Sequence, residues 1–386
     1  MLAGSALPEV LPSDSDGLSS VIVEIHQRAR VLKRLPPLHL WKWKQKRFWE
    51  RSTREFTPYF DAALRADPES TDFLRVCLRV LELPYLALAK TLPAEQPLTE
   101  GRASLSSRLR RVEVLTLQNR LREAGKILCS HGIVPASEDG YKRLSKLHPA
   151  LKETIPSLST DVPQFFITPL QAAKALHKLC GEKWVSLDPF GWSTALLHLV
   201  RGSRGVTAES PITFFRLFAT LVSKVAAAEV SDLVAFVLSS GSVLALNKDS
   251  EEERKTRETK GLPPRERPIN QGSMVLQMAF GLALSSDPAK KAMHELRPTQ
   301  QGVGAERGME LIAHSCSAHY QEGNFAILKL DATNGFQELK RASLHQKVLQ
   351  RCPSLLCLFQ KYYTAESMCF YSMVGRAGTR LLRSRE

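Results

Sequence analysis

FAILKLDATNGF, residues 325–336, carries the sharpest local signal in the sequence. A short apolar run that ends at Asp331, with an aromatic ring at Phe336, is how a buried strand delivers a carboxylate to a catalytic edge. The same pattern also describes a strand whose terminal aspartate caps the next helix. Residues 327–330 are therefore expected to form a buried strand, with Asp331 at its exposed end.

Upstream of this stretch, strand-like text occurs only at residues 243–246. Elsewhere the apolar periodicity is helical. Residues 73–93 are apolar at helical spacing and are expected to be interrupted at Pro84. Residues 108–130 form an Arg-rich amphipathic segment that Gly132 could close. Residues 168–180 and 193–200 are helical in pattern, and residues 214–238 give one or two buried helices. The fold class is α+β. It divides into a disordered leader (1–25), a basic helical region (26–150), a helical region leading into fingers (151–240) and a mixed region (241–386). The leader is acidic and offers little apolar surface to offset the entropy of ordering.

The chain has 386 residues, 43% of them hydrophobic, enough for more than one structural unit. Its net charge of +14 favours a polyanion, because basic side chains release counterions from phosphates. The seven cysteines are odd in number and never spaced Cys-x-x-Cys, which argues against a disulfide framework or a zinc knuckle. No basic start followed by an apolar core marks a secretory signal, and the uncharged stretches are too short to span a membrane. The expected setting is intracellular, in nucleus or cytoplasm, with no membrane partner.

From Arg28 to Arg54 ten cationic side chains interleave with Trp41, Trp43 and Trp49. Two readings stand side by side. Cations among aromatic rings grip phosphates and stack on bases; equally, tryptophans pack a following helix while the charges sit in water.

Several segments, taken in order, resemble the reverse transcriptases of non-LTR retrotransposons. LKLDATNGFQELKR (328–341) is similar to their first palm motif, with Asp331 at the metal-binding aspartate and Phe336 at the aromatic that excludes the sugar 2′-hydroxyl. PTQQGVGAERGMELI (298–312) resembles their Gln-x-Gly-Val-Gly segment and the helix after it. VLALNKD (243–249) and Arg267-Pro268-Ile269 look like paired finger strands. Asp188-Pro189-Phe190-Gly191-Trp192 resembles the segment preceding the fingers, and residues 125–149 the leader of one branch of such elements.

The resemblance implies an RNA-directed DNA polymerase that binds an RNA template and a DNA primer and takes deoxynucleoside triphosphates. Mg²⁺ would be held by Asp331 and the main-chain carbonyl of Ala332, since magnesium takes oxygen ligands. Lys248 and Arg267 would grip the triphosphate, as an ammonium and a guanidinium both stabilise phosphate charge. Gln300, Gly302 and Gly304 would let backbone approach the template closely. The sequence also departs from the family. Residues 249–266, DSEEERKTRETKGLPPRE, replace a short Gly-containing turn and are expected to be a flexible, charged excursion. Gly335 stands where Ala is usual, and no Tyr-x-Asp-Asp or Phe-x-Asp-Asp occurs. The chain is accordingly read as the front portion of such an enzyme, stopping before the palm is complete and inactive by itself. The rival readings are a non-catalytic nucleic-acid-binding remnant and a helical interaction protein.

Overall fold

The computed structural model describes residues 7–34, 41, 43–92, 134, 136–146, 162–180, 187–201, 211–296, 307–323, 340–363, 367–372 and 379–384, with isolated positions at 109, 112–113, 116–117, 125, 326 and 328. Among the described residues helices combine with one small sheet, as the α+β reading expects. In order the helices are α1 (Ser15–Ala29), α2 (Trp43–Leu64), α3 (Thr71–Leu88), α4 (Glu138–Lys146), α5 (Pro169–Leu179), α6 (Thr194–Val200), α7 (Phe214–Ala226) and α8 (Asp232–Ser239). Then come β1 (Gly241–Asn247), α9 (Glu251–Thr259), β2 (Glu266–Gly272), α10 (Met274–Leu284), α11 (Asp287–Glu295) and α12 (Gly308–Gln321). The remaining elements are α13 (Arg341–Arg351), α14 (Leu356–Tyr363), β3 (Ser367–Ser372) and β4 (Thr379–Ser384).

Side-chain caps fix many helix starts. Ser70, Thr168, Thr213, Ser231, Ser273 and Ser286 each accept an N–H from the first turn that follows, satisfying a donor that has no intrahelical partner. Thr168 and Gln171 complete a reciprocal capping box on α5, with Pro169 where its missing N–H does no harm. Residues 214–238 resolve into two helices because Ser231 starts a second one.

The main core gathers α1, α2, α3, α5, α6, α7, α8 and α10 around Trp49, Trp192, Phe60, Phe73, Phe215 and Phe218, all fully buried. Trp49 and Trp192 meet edge to face at 5.4 Å, and Trp192 stacks on Phe214. The indole N–H of Trp49 donates to the Leu196 carbonyl at 2.9 Å. Two of the three N-terminal tryptophans therefore pack, since Trp41 is buried as well, while Trp43 stands 70% exposed.

Two expectations need correction here. Residues 15–29 form α1, with Asp14 capping it and Leu18, Ile22 and Ile25 fully buried. Three apolar residues at i, i+4 and i+7 supply the buried stripe that acidic composition concealed. Pro84 does not interrupt α3 but lies buried inside it. Proline has no N–H for the carbonyl four residues earlier, that of Val80. The Trp192 indole N–H donates to that carbonyl instead, at 2.9 Å, so the helix continues without an orphaned acceptor.

The sheet has the order β2-β1-β3-β4. β1 and β2 are antiparallel, β3 and β4 are antiparallel, and β1 runs parallel to β3 over Gly241↔Cys369 and Ser242↔Phe370. Residue 241 has to be small: a Cβ there would lie 2.8 Å from the Gln271 carbonyl oxygen. β1 agrees with the strand expected at 243–246. β3 and β4 were not foreseen; they pair with each other, and only the contact of β3 with β1 is distant in sequence.

Candidate functional site

β1 and β2 make a hairpin whose two faces differ. Side chains alternate along a strand, and the register sets Leu246 opposite Arg267 and Leu244 opposite Ile269. Val243 and Ala245 point to the other face, into a small core with Cys369, Tyr371, Leu382 and Leu144 of α4. α4 is held on that face by several polar contacts. Arg143 pairs with Glu266 at 2.6 Å, the Tyr141 hydroxyl donates to the Leu381 carbonyl at 3.0 Å, and the Ser137 N–H donates to the Tyr371 hydroxyl at 3.1 Å. One face of the hairpin is covered.

The opposite face carries the candidate residues. The Lys248 N–H donates to the Arg265 carbonyl at 3.0 Å, which extends the ladder one step past β1. By the two-residue alternation, Lys248, Leu246, Arg265 and Arg267 share this face. Lys248 and Arg267 are exposed. Among the described residues neither forms an ion pair, whereas Arg265 is engaged by Asp249 and Glu253. Two cations are thus left open on one rigid, two-stranded platform.

The connection between these strands differs from the flexible excursion expected. Residues 251–259 form α9, started by a capping box in which Ser250 accepts from the Glu253 N–H and the Glu253 carboxylate accepts from the Ser250 N–H at 2.8 Å. Asp249, 2% exposed, accepts from the Arg265 backbone at 2.8 Å, forms an ion pair with the Arg265 guanidinium and lies 3.7 Å from Arg257. These contacts close the helical insertion against the strand ends, so the insertion does not displace Lys248. Ser-x-x-Glu was the available signal, and high charge density obscured it.

The base of the hairpin is anchored by the turn at residues 188–192. Asp188 accepts from the N–H groups of Phe190 at 2.9 Å and Trp192 at 2.8 Å through one oxygen, and from Met274 at 2.7 Å through the other. That last bond joins the turn to the first residue of α10, where a negative charge is also favoured by the helix dipole. Burial pushes the Asp188 carboxyl up to about 6 against the pull of these N–H bonds, so it remains ionised at neutral pH. Gln271 at the end of β2 donates to the Leu187 carbonyl at 2.5 Å. Gly191 completes the turn at φ +88°, a conformation side chains with a Cβ rarely adopt.

His26 of α1 reaches the same turn. Its Nδ1 lies 2.7 Å from the Pro189 carbonyl oxygen, so that nitrogen carries the proton, and Nε2 accepts from the Ser372 hydroxyl at 3.2 Å. The ring stacks on Phe370 at 4.4 Å. Burial lowers its pKa to about 4. α1, the turn, the hairpin, α10 and β3 therefore meet at one buried polar junction. Sequence reading singled out the segment 188–192 but missed Asp188 and His26 as its fasteners; an aspartate two residues before an aromatic and a glycine was the available signal for the turn.

Asp331, Ala332, Phe336, Gln300, Gly302 and Gly304 lie outside the described residues, as do most of residues 108–130. Of the strand expected at 327–330, residues 327, 329 and 330 also lie outside the described residues; Leu328 is described by itself and is 80% exposed rather than buried. α12 begins at Gly308, in agreement with the helix expected after the Gln-x-Gly-Val-Gly segment. Among the described residues no three His, Cys, Asp or Glu side chains converge as a metal site, and no helix is long and apolar enough to cross a membrane. Comparison with family models, with curated proteins and with solved structures finds no significant match to this chain.

Proposed function

We propose that the chain carries the fingers and part of the palm of a reverse transcriptase of the non-LTR retrotransposon kind, an RNA-directed DNA polymerase working on an RNA template and a DNA primer. The observation that supports it most is the β1–β2 hairpin. Its covered face packs on α4, and its open face presents Lys248 and Arg267 together. In the proposed role the Arg267 guanidinium fork and the Lys248 ammonium take the triphosphate of an incoming deoxynucleotide, whose oxygens match both donors. Asp331 and the carbonyl of Ala332 are the proposed ligands for Mg²⁺, and Phe336 the proposed barrier to ribonucleotides. Magnesium, when bound, neutralises charge on the phosphates and activates the primer hydroxyl. Gln300, Gly302 and Gly304 are proposed to border the template.

A deoxynucleoside triphosphate bearing a photoreactive azidoanilide on its γ-phosphate tests the assignment. Irradiation with a primed RNA template is expected to label peptides from residues 241–272. Arg267→Ala should reduce that labelling about tenfold, the loss of one charge-assisted contact. Labelling concentrated elsewhere, unaffected by Arg267→Ala and Lys248→Ala, would overturn the assignment of the hairpin.

A further inference from the structure

α2 violates two local rules of helix stability at the same place. Its first turn holds no acidic residue, yet Lys44, Lys46 and Arg47 are clustered there, where the helix dipole disfavours cations. In that turn Trp43 is 70% exposed, although tryptophan is among the side chains that gain most from burial. Neither feature is needed to hold the helix. Its packing comes from Trp49, Phe56 and Phe60 on the opposite side, and the Trp49 indole bond to Leu196 fixes its rotation.

The exposed face has internal order. Trp43, Arg47, Arg51 and Arg54 follow one another at i, i+4, i+8 and i+11, so they share a single face over roughly 16 Å of helix. The Arg47 guanidinium lies over the Trp43 ring at 4.6 Å from its centroid, and the Lys44 ammonium 6.0 Å from the Phe48 ring. Arg51 pairs with Glu55 at 2.7 Å, an exposed contact that a phosphate can displace. An exposed indole with one guanidinium over its ring, followed by further arginines along the same helix face, is a stacking platform with phosphate grips beside it.

We propose that this face of α2 is a binding site for single-stranded nucleic acid, in which Trp43 stacks on a base while Arg47, Arg51 and Arg54 hold the flanking phosphates. A single strand is specified because its bases are free to stack on the ring, whereas duplex bases are stacked on one another. Lys44 and Lys46 flank the path. The site is separate from the hairpin and does not rest on the polymerase reading.

The test uses the full chain and a fluorescein-labelled twelve-residue oligouridylate, with anisotropy read across a salt titration. Trp43→Ala is expected to weaken binding about tenfold or more, and Trp43→Phe to keep it within about threefold, because any flat ring stacks. Arg47→Ala should make the plot of log affinity against log salt shallower by about 0.7, the contribution of one phosphate on a single strand. Trp43 emission should be quenched on binding, and the quench should be absent in Trp43→Phe. As Trp43 is exposed, unchanged circular dichroism verifies that the variants fold. Arg267→Ala should leave oligouridylate binding unaltered, which separates this site from the proposed nucleotide grip. Three outcomes would overturn the proposal: equal losses on duplex and single strand for Trp43→Ala, no loss on either, or tighter Trp43-dependent binding to phosphatidylserine vesicles than to the oligonucleotide.

Discussion

Acidification should weaken the junction around His26, and the size of the effect follows from its burial. The imidazole has an ordinary pKa of 6.5 when unfolded and about 4 in the native state, where burial disfavours its charge. The unfolded state thus binds the proton more readily between these values. The stabilisation is complete above pH 6.5 and is lost as pH falls toward 4. At pH 5, one and a half units below 6.5, the loss is about 2 kcal/mol at 1.36 kcal/mol per unit. Asp188 acts in the opposite sense. Its native pKa is raised to about 6 by burial, so the native state gains on the order of 1 kcal/mol from its protonation between pH 6 and 5. The wild-type profile should therefore be shallow and conceal both effects. His26→Asn separates them, because its amide can still donate to the Pro189 carbonyl but does not titrate. Urea unfolding of both proteins at pH 8 and pH 5 should show the stability difference between them shifting by about 2 kcal/mol in favour of the variant at pH 5. An unchanged difference, or an imidazole NMR titration for His26 near 6.5, would show that His26 is not the buried neutral group at this junction.

Other consequences are independent of that one. Trp192→Phe leaves the Val80 carbonyl without a donor and should destabilise by roughly 2–4 kcal/mol in urea unfolding. In a Pro84→Ala background the restored N–H at position 84 takes that carbonyl, so the same change should be milder by about 1 kcal/mol; equal effects in both backgrounds would contradict the exchange of partners. Asp188→Asn turns one acceptor oxygen into a donor facing backbone N–H groups and should destabilise by roughly 2–4 kcal/mol, measured as a fall in the urea midpoint at pH 7. Ser250→Ala removes the cap of α9 and should increase amide exchange over residues 251–259 by about tenfold, with β1 and β2 unaffected.

How far the sequence revealed the fold depends on how local the determining contacts are. The helices at 169–179 and 214–239 were legible because their apolar periodicity and their Ser or Thr caps lie within the segments themselves. β1 was legible as a run of β-formers. β3 was not: Ser367–Ser372 is held by β4 and by Gly241 and Ser242, the latter pair more than a hundred residues away. Pro84 misled because its remedy, the Trp192 indole, lies 112 residues beyond the Val80 carbonyl that it satisfies. Of the candidate site, the sequence indicated Lys248 and Arg267, and the hairpin register sets both on one open face. The buried fasteners escaped notice because a lone histidine or aspartate carries no periodic signal. The three tryptophans looked equivalent in sequence, yet packing took Trp41 and Trp49 and left Trp43 outside.

Primer extension on a primed RNA template, with Mg²⁺ and all four deoxynucleotides, tests the proposed function most directly. The 386 residues include one candidate carboxylate at Asp331 and no Asp-Asp pair of the polymerase type. Two-metal nucleotidyl transfer needs several carboxylates around ions about 4 Å apart. A fusion that supplies an Asp-Asp hairpin of the polymerase type should extend the primer, Asp331→Asn should abolish the activity because a neutral amide holds a hard cation poorly, and Phe336→Ala should admit ribonucleotides. Extension that persists in Asp331→Asn, whether in the fusion or in this chain alone, would contradict the assignment.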